Sequence, residues 1–140
     1  MTKEVLLTLK GLQFDGEKND NYSVSFPAEY YERNGRRYIV YDEVMEGFTQ
    51  STKNIIKFNE KQLEVTKKGV VNVAMLFEQA QKNLTKYRTP YGEFIMGINT
   101  LGVRVTETEE HICIEAEYEL ELNYEHQADC KILVDIRSQG

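Results

Sequence analysis

Residues 111–124 alternate strictly between apolar and polar side chains, and this stretch constrains the fold more than any other. The apolar side chains occupy every even position: Ile112, Ile114, Ala116, Tyr118, Leu120, Leu122 and Tyr124. Successive side chains of a strand point to opposite faces, so the alternation predicts a strand with one buried and one hydrated face. At about 3.3 Å per residue the strand is about 45 Å long, which is typical of strands that bend around a barrel.

Size, charge and cysteine content limit the class of protein. The chain has 140 residues, which predicts one domain, residues 1–140, with a core that needs no disulfide or structural metal. A net charge of −6 and a pI near 5.0 argue against a nucleic-acid or anionic-membrane partner. No apolar run is long enough for a transmembrane helix, and the first ten residues lack the core of a signal peptide. Cys113 and Cys130 fall on opposite faces of adjacent strands and cannot pair, which together with these features predicts a cytoplasmic protein.

Alternation and turn signals along the rest of the chain predict an all-β fold, a closed antiparallel meander barrel of about 8–10 strands with at most one short helix. The strongest turn signal is Asn34-Gly35, since both residues tolerate the positive φ of a two-residue hairpin. The pairs that this turn sets are Tyr30 with Ile39, Tyr31 with Tyr38 and Ala28 with Tyr41. Pro27 cannot donate a backbone hydrogen bond, so we expect a bulge or an edge position there.

The second half of the chain carries two further turn signals, Thr89–Gly92 and Asn99–Gly102. Before the last strand, we expect a loop of three or five residues around Gln127, because only an odd length keeps the two apolar faces aligned. That alignment places Leu122 opposite Ile132 and Leu120 opposite Val134. Residues 69–87 fit either a short helix or a strand hairpin, and periodicity does not decide between them.

The odd positions of residues 111–124 carry the clearest candidate for chemistry, the row Glu115, Glu117, Glu119 and Glu121. Carboxylates that alternate inside a barrel resemble the tunnel of triphosphate-processing enzymes, where they hold a divalent metal ion. Turning this row inward would expose seven apolar side chains at about 1.5–3 kcal/mol each. Asn123 also stands where the tunnel's basic partner is expected. We therefore interpret the row as a hydrated outer face.

Other catalytic and metal-binding patterns are weak. His111 and His126 stand at opposite ends of one strand, and neither has the ligands of a structural zinc site nearby in sequence. Cys113, two residues from His111 on the same face, could bind a metal ion together with it only weakly. The chain has no nucleophile motif and no phosphate-binding loop. We predict no catalytic residue, no metal and no cofactor.

Tyrosines share the predicted inner faces with aliphatic residues: Tyr22, Tyr30, Tyr41, Tyr118 and Tyr124. A barrel of about eight strands either fills itself with side chains or holds one small ligand, and both outcomes stay open. Tyrosines would give a cavity apolar walls with hydrogen-bonding tips. Lys67, Lys68 and Arg88 could place a positive charge at its mouth. The candidate ligand-binding residues of the lumen and rim are Tyr30, Tyr41, Arg88, Tyr91 and Tyr118.

Five segments, in order, carry a family resemblance: E-Y-Y-E-R-N-G-R-R-Y-I at 29–39, K-K-G-V-V-N-V-A-M-L-F-E at 67–78, Y-R-T-P-Y-G at 87–92, G-I-N-T at 97–100 and E-Y-E-L-E-L-N at 117–123. They resemble the YwiB-like family of small bacterial proteins of unknown function, which have a calycin-like (lipocalin-like) β-barrel. The resemblance implies a single barrel with strands at 73–78 and 84–88. Ala80 departs from the family pattern, where a glycine is usual.

The sequence therefore favours a non-enzymatic module that binds a small, partly apolar ligand in the barrel lumen. The first alternative is a metal-dependent phosphohydrolase of the triphosphate-tunnel type that uses the glutamate row. The second is a protein–protein interaction module that pairs through an open strand or an outer tyrosine patch. The sequence leaves the ligand and the oligomeric state open.

Overall fold

The computed structural model describes residues 1–11 and 23–139, and within them every regular element is a strand. The ten strands are β1 (Glu4–Lys10), β2 (Ser23–Arg33), β3 (Arg36–Val44), β4 (Ser51–Phe58), β5 (Gln62–Lys68), β6 (Val73–Glu78), β7 (Lys82–Thr89), β8 (Gly92–Glu107), β9 (His111–Leu122) and β10 (Glu125–Ser138). The predicted all-β class is confirmed. Tyr22, one of the tyrosines predicted to face inward, lies outside the described residues. None of the described residues forms a helix able to span a bilayer.

The strands form one antiparallel sheet in the order β6-β5-β4-β3-β2-β1-β10-β9-β8-β7, which curls into a nearly closed barrel. The two edge strands, β6 and β7, face each other across a seam. An isolated bridge joins Asn72, the residue before β6, to Arg88 of β7, with N–O distances of 2.8 and 2.9 Å. Residues 73–78 and 82–89 are thus strands, as the resemblance implied, but they are not paired as a regular hairpin. Ala80 lies between them with φ of 62°, a conformation that explains why glycine suits this position.

The centre of the barrel is filled with apolar side chains. Ile39, Ile56, Val65 and Met75 form one row across β3 to β6, and each is 0–1% exposed. Opposite them, β9 contributes its even positions to the core, of which Ile112, Ile114 and Ala116 are 0% exposed. A side chain with no accessible surface borders no water-sized space, so these residues close the middle of the lumen.

The hairpin of β2 and β3 splits partway along its length. Tyr30 pairs with Ile39 and Tyr31 with Tyr38, as predicted, but the ladder ends at the pair of Glu29 and Val40. The prediction that Ala28 pairs with Tyr41 is therefore wrong.

Pro27 explains the split. The Tyr30 N–H donates to the Lys3 carbonyl at 2.7 Å, so the even residues of β2 direct their N–H groups toward β1. The odd residues, including Pro27, would donate toward β3, and Pro27 has no N–H to donate. The predicted edge position for Pro27 is confirmed, because it pairs with Leu6 of β1 on one side and has no ladder partner in β3.

The structure has β-bulges at two places where the sequence predicts a turn or a loop between strands. The register shifts between Thr100 and Gly102, so the predicted turn at 99–102 is a bulge inside one strand, β8. The predicted odd loop around Gln127 is wrong as well. A two-residue turn, Asn123-Tyr124, precedes β10, and a bulge between His126 and Ala128 supplies the odd residue. Ile132 consequently faces Ala116, and Leu122 faces Glu125.

Candidate functional site

The structure separates the five tyrosine and arginine positions that the sequence singles out. Tyr118 is 3% exposed and packs edge-on against the Phe77 ring, with 4.8 Å between ring centroids. Burial raises the pKa of its hydroxyl, and the nearby Cys130 side chain, with which it forms a hydrogen bond, raises it further. Tyr118 thus fills the core instead of lining a hollow.

Tyr30 lies near the β2–β3 turn, on the inner face. Its hydroxyl donates a hydrogen bond to Glu32 Oε1 at 2.8 Å. Burial, followed by the hydrogen bond and the negative charge of Glu32, raises the pKa of Tyr30 to about 12, although Arg37 acts in the opposite direction. The hydroxyl therefore stays protonated and serves as a donor.

Arg88 and Tyr91 lie on the outside, at and beyond the end of β7. The Arg88 Nε donates to Glu93 Oε2 at 3.0 Å, and the arginine side chain is 62% exposed. Tyr91, in the predicted and confirmed turn at 89–92, is 86% exposed. Neither side chain is brought to the tyrosines of the core.

Tyr41 has a different environment, because the interior becomes polar at its level. It faces Asn54 of β4, Asn54 faces Lys67 of β5, and Lys67 faces Val73 of β6. This row lies two residues along the strands from the apolar row of Ile39. We call Glu43, Thr52, Asn54 and Lys67 the polar end of the barrel.

The polar end is organised around a buried ammonium group. Lys67 is 5% exposed, and its Nζ donates to Asn54 Oδ1 at 2.7 Å and to Glu43 Oε1 at 3.0 Å. Asn54, which is 0% exposed, donates in turn to the Thr52 carbonyl at 3.1 Å. A buried charge without such partners would cost several kcal/mol. The cluster is therefore a connected network that satisfies its charge internally.

The chain after Lys67 is fitted tightly against this network. The Thr52 hydroxyl accepts a hydrogen bond from the Val70 N–H at 3.1 Å. Gly69 adopts φ of 154°, and a Cβ at this position would lie 2.7 Å from the Thr52 Cα. Only glycine allows so close an approach, so Gly69 is what lets the turn after β5 close over Thr52.

A cleft opens in the barrel wall where β2 and β3 separate. It has a volume of about 580 Å³ and is lined by Glu4, Val5, Pro27, Ala28, Glu29, Val40, Tyr41, Asp42, Lys53 and Gln139. Behind it the rings of Phe26 and Tyr41 contact each other, with centroids 4.7 Å apart. We call this feature the β2–β3 cleft. Tyr41 belongs both to the cleft and to the row that contains Asn54 and Lys67.

The β2–β3 cleft combines apolar and acidic groups. Pro27, Ala28 and Val40 supply apolar surface beside the Tyr41 ring. Three carboxylates, those of Glu4, Glu29 and Asp42, line it with one lysine, Lys53. Glu4 and Glu29 are direct cross-strand partners, a like-charge arrangement that a bound cation would relieve. The cleft therefore suits a small molecule with an apolar body and a positive charge.

The glutamate row of β9 lies on the outer surface, as we interpreted it. The even residues beside it are in the core, whereas Glu115, Glu117, Glu119 and Glu121 are exposed or half-buried. The outer row has basic partners: Lys131 Nζ is 3.9 Å from Glu115 and Lys82 Nζ is 2.8 Å from Glu121. A triphosphate tunnel needs these carboxylates inside, and the structure places them outside.

Sequence reasoning missed most of the polar end, although a signal was present. In β4, Asn54 is in phase with Ile56 and Phe58, so alternation alone places a polar side chain in the interior. Lys67 is likewise in phase with Leu63 and Val65 of β5. What the sequence could not give is the register that makes Asn54 and Lys67 neighbours.

Comparison with known proteins gives a family and a fold. A family model described as "Domain of unknown function (DUF1934)" matches residues 7–134. The crystal structure of the ywiB protein from Bacillus subtilis is similar, with a TM-score of 0.81 and 18% sequence identity. The alignment covers 99% of this chain and 93% of that one, and at this identity the likeness concerns the fold alone. No curated protein sequence matches the chain.

Proposed function

The chain belongs to the family defined by the domain of unknown function DUF1934, and we propose that it is a non-enzymatic module that binds a small, partly apolar molecule. The binding site is the β2–β3 cleft. The observation that carries the proposal is the split of β2 from β3 at Pro27, which opens the barrel wall beside Tyr41. The filled centre supports this location over the lumen.

The charges of the cleft favour one class of ligand. Three carboxylates against one lysine favour a ligand that carries a positive charge, such as an amine. The apolar groups Pro27, Ala28 and Val40 and the Tyr41 ring would contact its hydrocarbon part. Lys67 and Asn54, next to Tyr41 in the same row, support the wall of the cleft from within.

The same features support our proposals for the compartment and the class of partner. Neither Cys113 nor Cys130 forms a disulfide, and this and the acidic charge support a cytoplasmic location. The acidic lining also argues against nucleic acid or an anionic membrane as the partner.

Ligand-observed NMR with two probes of the same skeleton tests the proposal. Phenethylamine carries a positive charge, whereas phenylacetate carries a negative one. We expect saturation transfer to phenethylamine, with a Kd on the order of 1 mM for a probe of about nine heavy atoms, and little transfer to phenylacetate. Equal transfer to both probes, or none to phenethylamine, would overturn the proposal.

A charge reversal in the cleft locates the binding. Glu29→Lys should weaken phenethylamine binding at least fivefold, because it removes a carboxylate and adds a repelling ammonium. The matched control is Glu125→Lys, which makes the same charge change on an exposed glutamate of β10. If the two variants weaken binding equally, the probe responds to net charge and the cleft is not the site.

A further inference from the structure

Three side chains with metal-binding atoms converge on the outer face of β9 and β10. They are Glu119, His126 and Asp129, and one ligand atom from each lies within 4.8 Å of the other two. These three residues lie on a different face of the barrel from the β2–β3 cleft. An inference about them does not depend on the function proposed for the cleft.

The β-bulge of β10 builds this convergence. Glu119 and Asp129 are direct cross-strand partners on the outer face. In an undistorted strand His126, three residues before Asp129, would point to the opposite face. The extra residue between His126 and Ala128 changes the phase, so that His126 joins Asp129 on the outside. The sequence alone hides this, because the histidine and the aspartate stand at an odd spacing.

Glu119 is held by a residue outside the group, and the exposed His126 and Asp129 contact each other. The Asn99 Nδ2 donates to Glu119 Oε1 at 2.6 Å, and a carboxylate has a second oxygen that can accept a further partner. His126 Nε2 lies 3.1 Å from Asp129 Oδ1. All three residues are on strands, which position ligands more accurately than loops do.

The charge of the site differs from that of the rest of the glutamate row. Glu115 and Glu121 each have a lysine within 4.0 Å, and Glu117 faces Lys131 across the ladder. Glu119 instead lies between the neutral Asn99 and the carboxylate of Asp129. Two carboxylates directly opposite each other repel, and a cation between them would remove the repulsion.

We propose that Glu119, His126 and Asp129 bind one divalent transition-metal ion of the zinc class. One imidazole nitrogen and two carboxylate oxygens are ligands that Zn²⁺ accepts at 2.0–2.2 Å. Three protein ligands leave a coordination position for water, as in open zinc sites. Since His126 and Asp129 are exposed, we expect an affinity in the micromolar range, well below that of a buried structural site.

Titration of the full chain with zinc alone tests the proposal. After treatment with EDTA and removal of the chelator, isothermal titration calorimetry should show one Zn²⁺ per chain. His126→Gln and Glu119→Gln should each weaken binding at least tenfold, and circular dichroism verifies that both variants remain folded. The matched control is His111→Gln, which removes the chain's other histidine. His111 contacts Asp135 at 2.7 Å, at the other end of β9.

NMR of the imidazole nitrogens identifies the ligand directly. With two histidines in the chain, the His111→Gln spectrum assigns both rings, and substoichiometric Zn²⁺ should shift the His126 nitrogens alone. Absence of one-to-one binding below 1 mM Zn²⁺ would overturn the proposal. So would binding that survives His126→Gln, or binding that is lost in His111→Gln, which would place the ion at His111 and Cys113.

Discussion

Two lysine–glutamate pairs of similar length lie on opposite faces of the barrel wall. Inside, Lys67 Nζ is 3.0 Å from Glu43, and the side chains are 6% and 22% exposed. Outside, Lys82 Nζ is 2.8 Å from Glu121, and the side chains are 47% and 21% exposed. The distances are nearly equal, but water solvates one ammonium and not the other.

The difference shows that burial, more than the distance between the charged atoms, decides how much such a pair contributes to the stability of the fold. If Glu121 is removed, Lys82 is solvated at once, so the pair adds little to stability. If Lys67 is removed, Asn54 and Glu43 lose the donor around which they are arranged. The inner pair therefore makes the polar end dependent on all of its members, and the outer pair does not.

The largest effect expected is that of Lys67→Ala. We expect it to lower the free energy of unfolding by about 3–5 kcal/mol, because it leaves buried polar atoms without a partner and also a cavity. Lys82→Ala, the matched outer change, should cost less than about 1 kcal/mol. Urea denaturation of both variants measures the difference. Equal losses would show that the interior network is as hydrated as the surface.

A double substitution sharpens the same comparison. Replacement of both charged partners, Lys67→Met with Glu43→Leu, should recover part of this loss and leave the free energy of unfolding about 1–3 kcal/mol below that of the original protein, because the buried Asn54 Oδ1 still lacks its donor. Apolar side chains of similar volume need no desolvation of a charge. If the double variant is as unstable as Lys67→Ala, the charged pair contributes stability to the barrel that apolar side chains in the same place cannot supply.

Stability at alkaline pH tests the burial of Tyr30, which lies in the interior near the β2–β3 turn. The pKa of Tyr30 is raised to about 12 from the ordinary value of 10.0. Below pH 10 its contribution to stability is fully present. As pH rises from 10 to 12, the unfolded state loses this proton first, and the contribution is lost. Tyr30→Phe should cost about 1 kcal/mol at pH 7 for the hydrogen bond to Glu32, and should reduce the fall in urea midpoint between pH 10 and 12.

The smallest effect expected is on the outer surface, in the turn between β6 and β7. Ala80 has φ of 62°, which costs an L-residue about 1 kcal/mol. Ala80→Gly should raise the free energy of unfolding by about 0.5–1 kcal/mol. Gln79→Gly adds a glycine to the same turn, where no positive φ requires one, and should lower it slightly. Thermal denaturation that ranks the two variants in the reverse order would contradict the backbone explanation.

Two of the two-residue hairpins of the barrel show how far the sequence could predict the fold. Asn34-Gly35 predicts a hairpin because both residues tolerate positive φ, and the pairs near this turn are confirmed. Asn123-Tyr124 has the same backbone shape, with φ of 51° and 69°, but a tyrosine gives no such signal. The predicted odd loop had the correct parity, since two turn residues and one bulge residue also make an odd number.

Both candidate sites depend on features that a strand pattern cannot contain. Alternation indicates that Asn54 and Lys67 point inward and that Glu119 points outward. It cannot indicate that β2 separates from β3 at Pro27, because proline signals only a missing donor and not what happens to the neighbouring strand. Nor can it place His126 beside Glu119, because the bulge in β10 follows from the register and not from the identity of Gln127.

The strand order also has a consequence for how the barrel assembles. Every ladder in the sheet joins consecutive strands except that of β1 with β10, which pairs Val5 with Ser138. Two meanders, β1–β6 and β7–β10, can thus form from local contacts, whereas their union must close almost the whole chain into a loop. The chain loses the entropy of that closure before the contacts between β1 and β10 can stabilise it. We therefore expect the docking of these two meanders along β1 and β10 to set the folding rate.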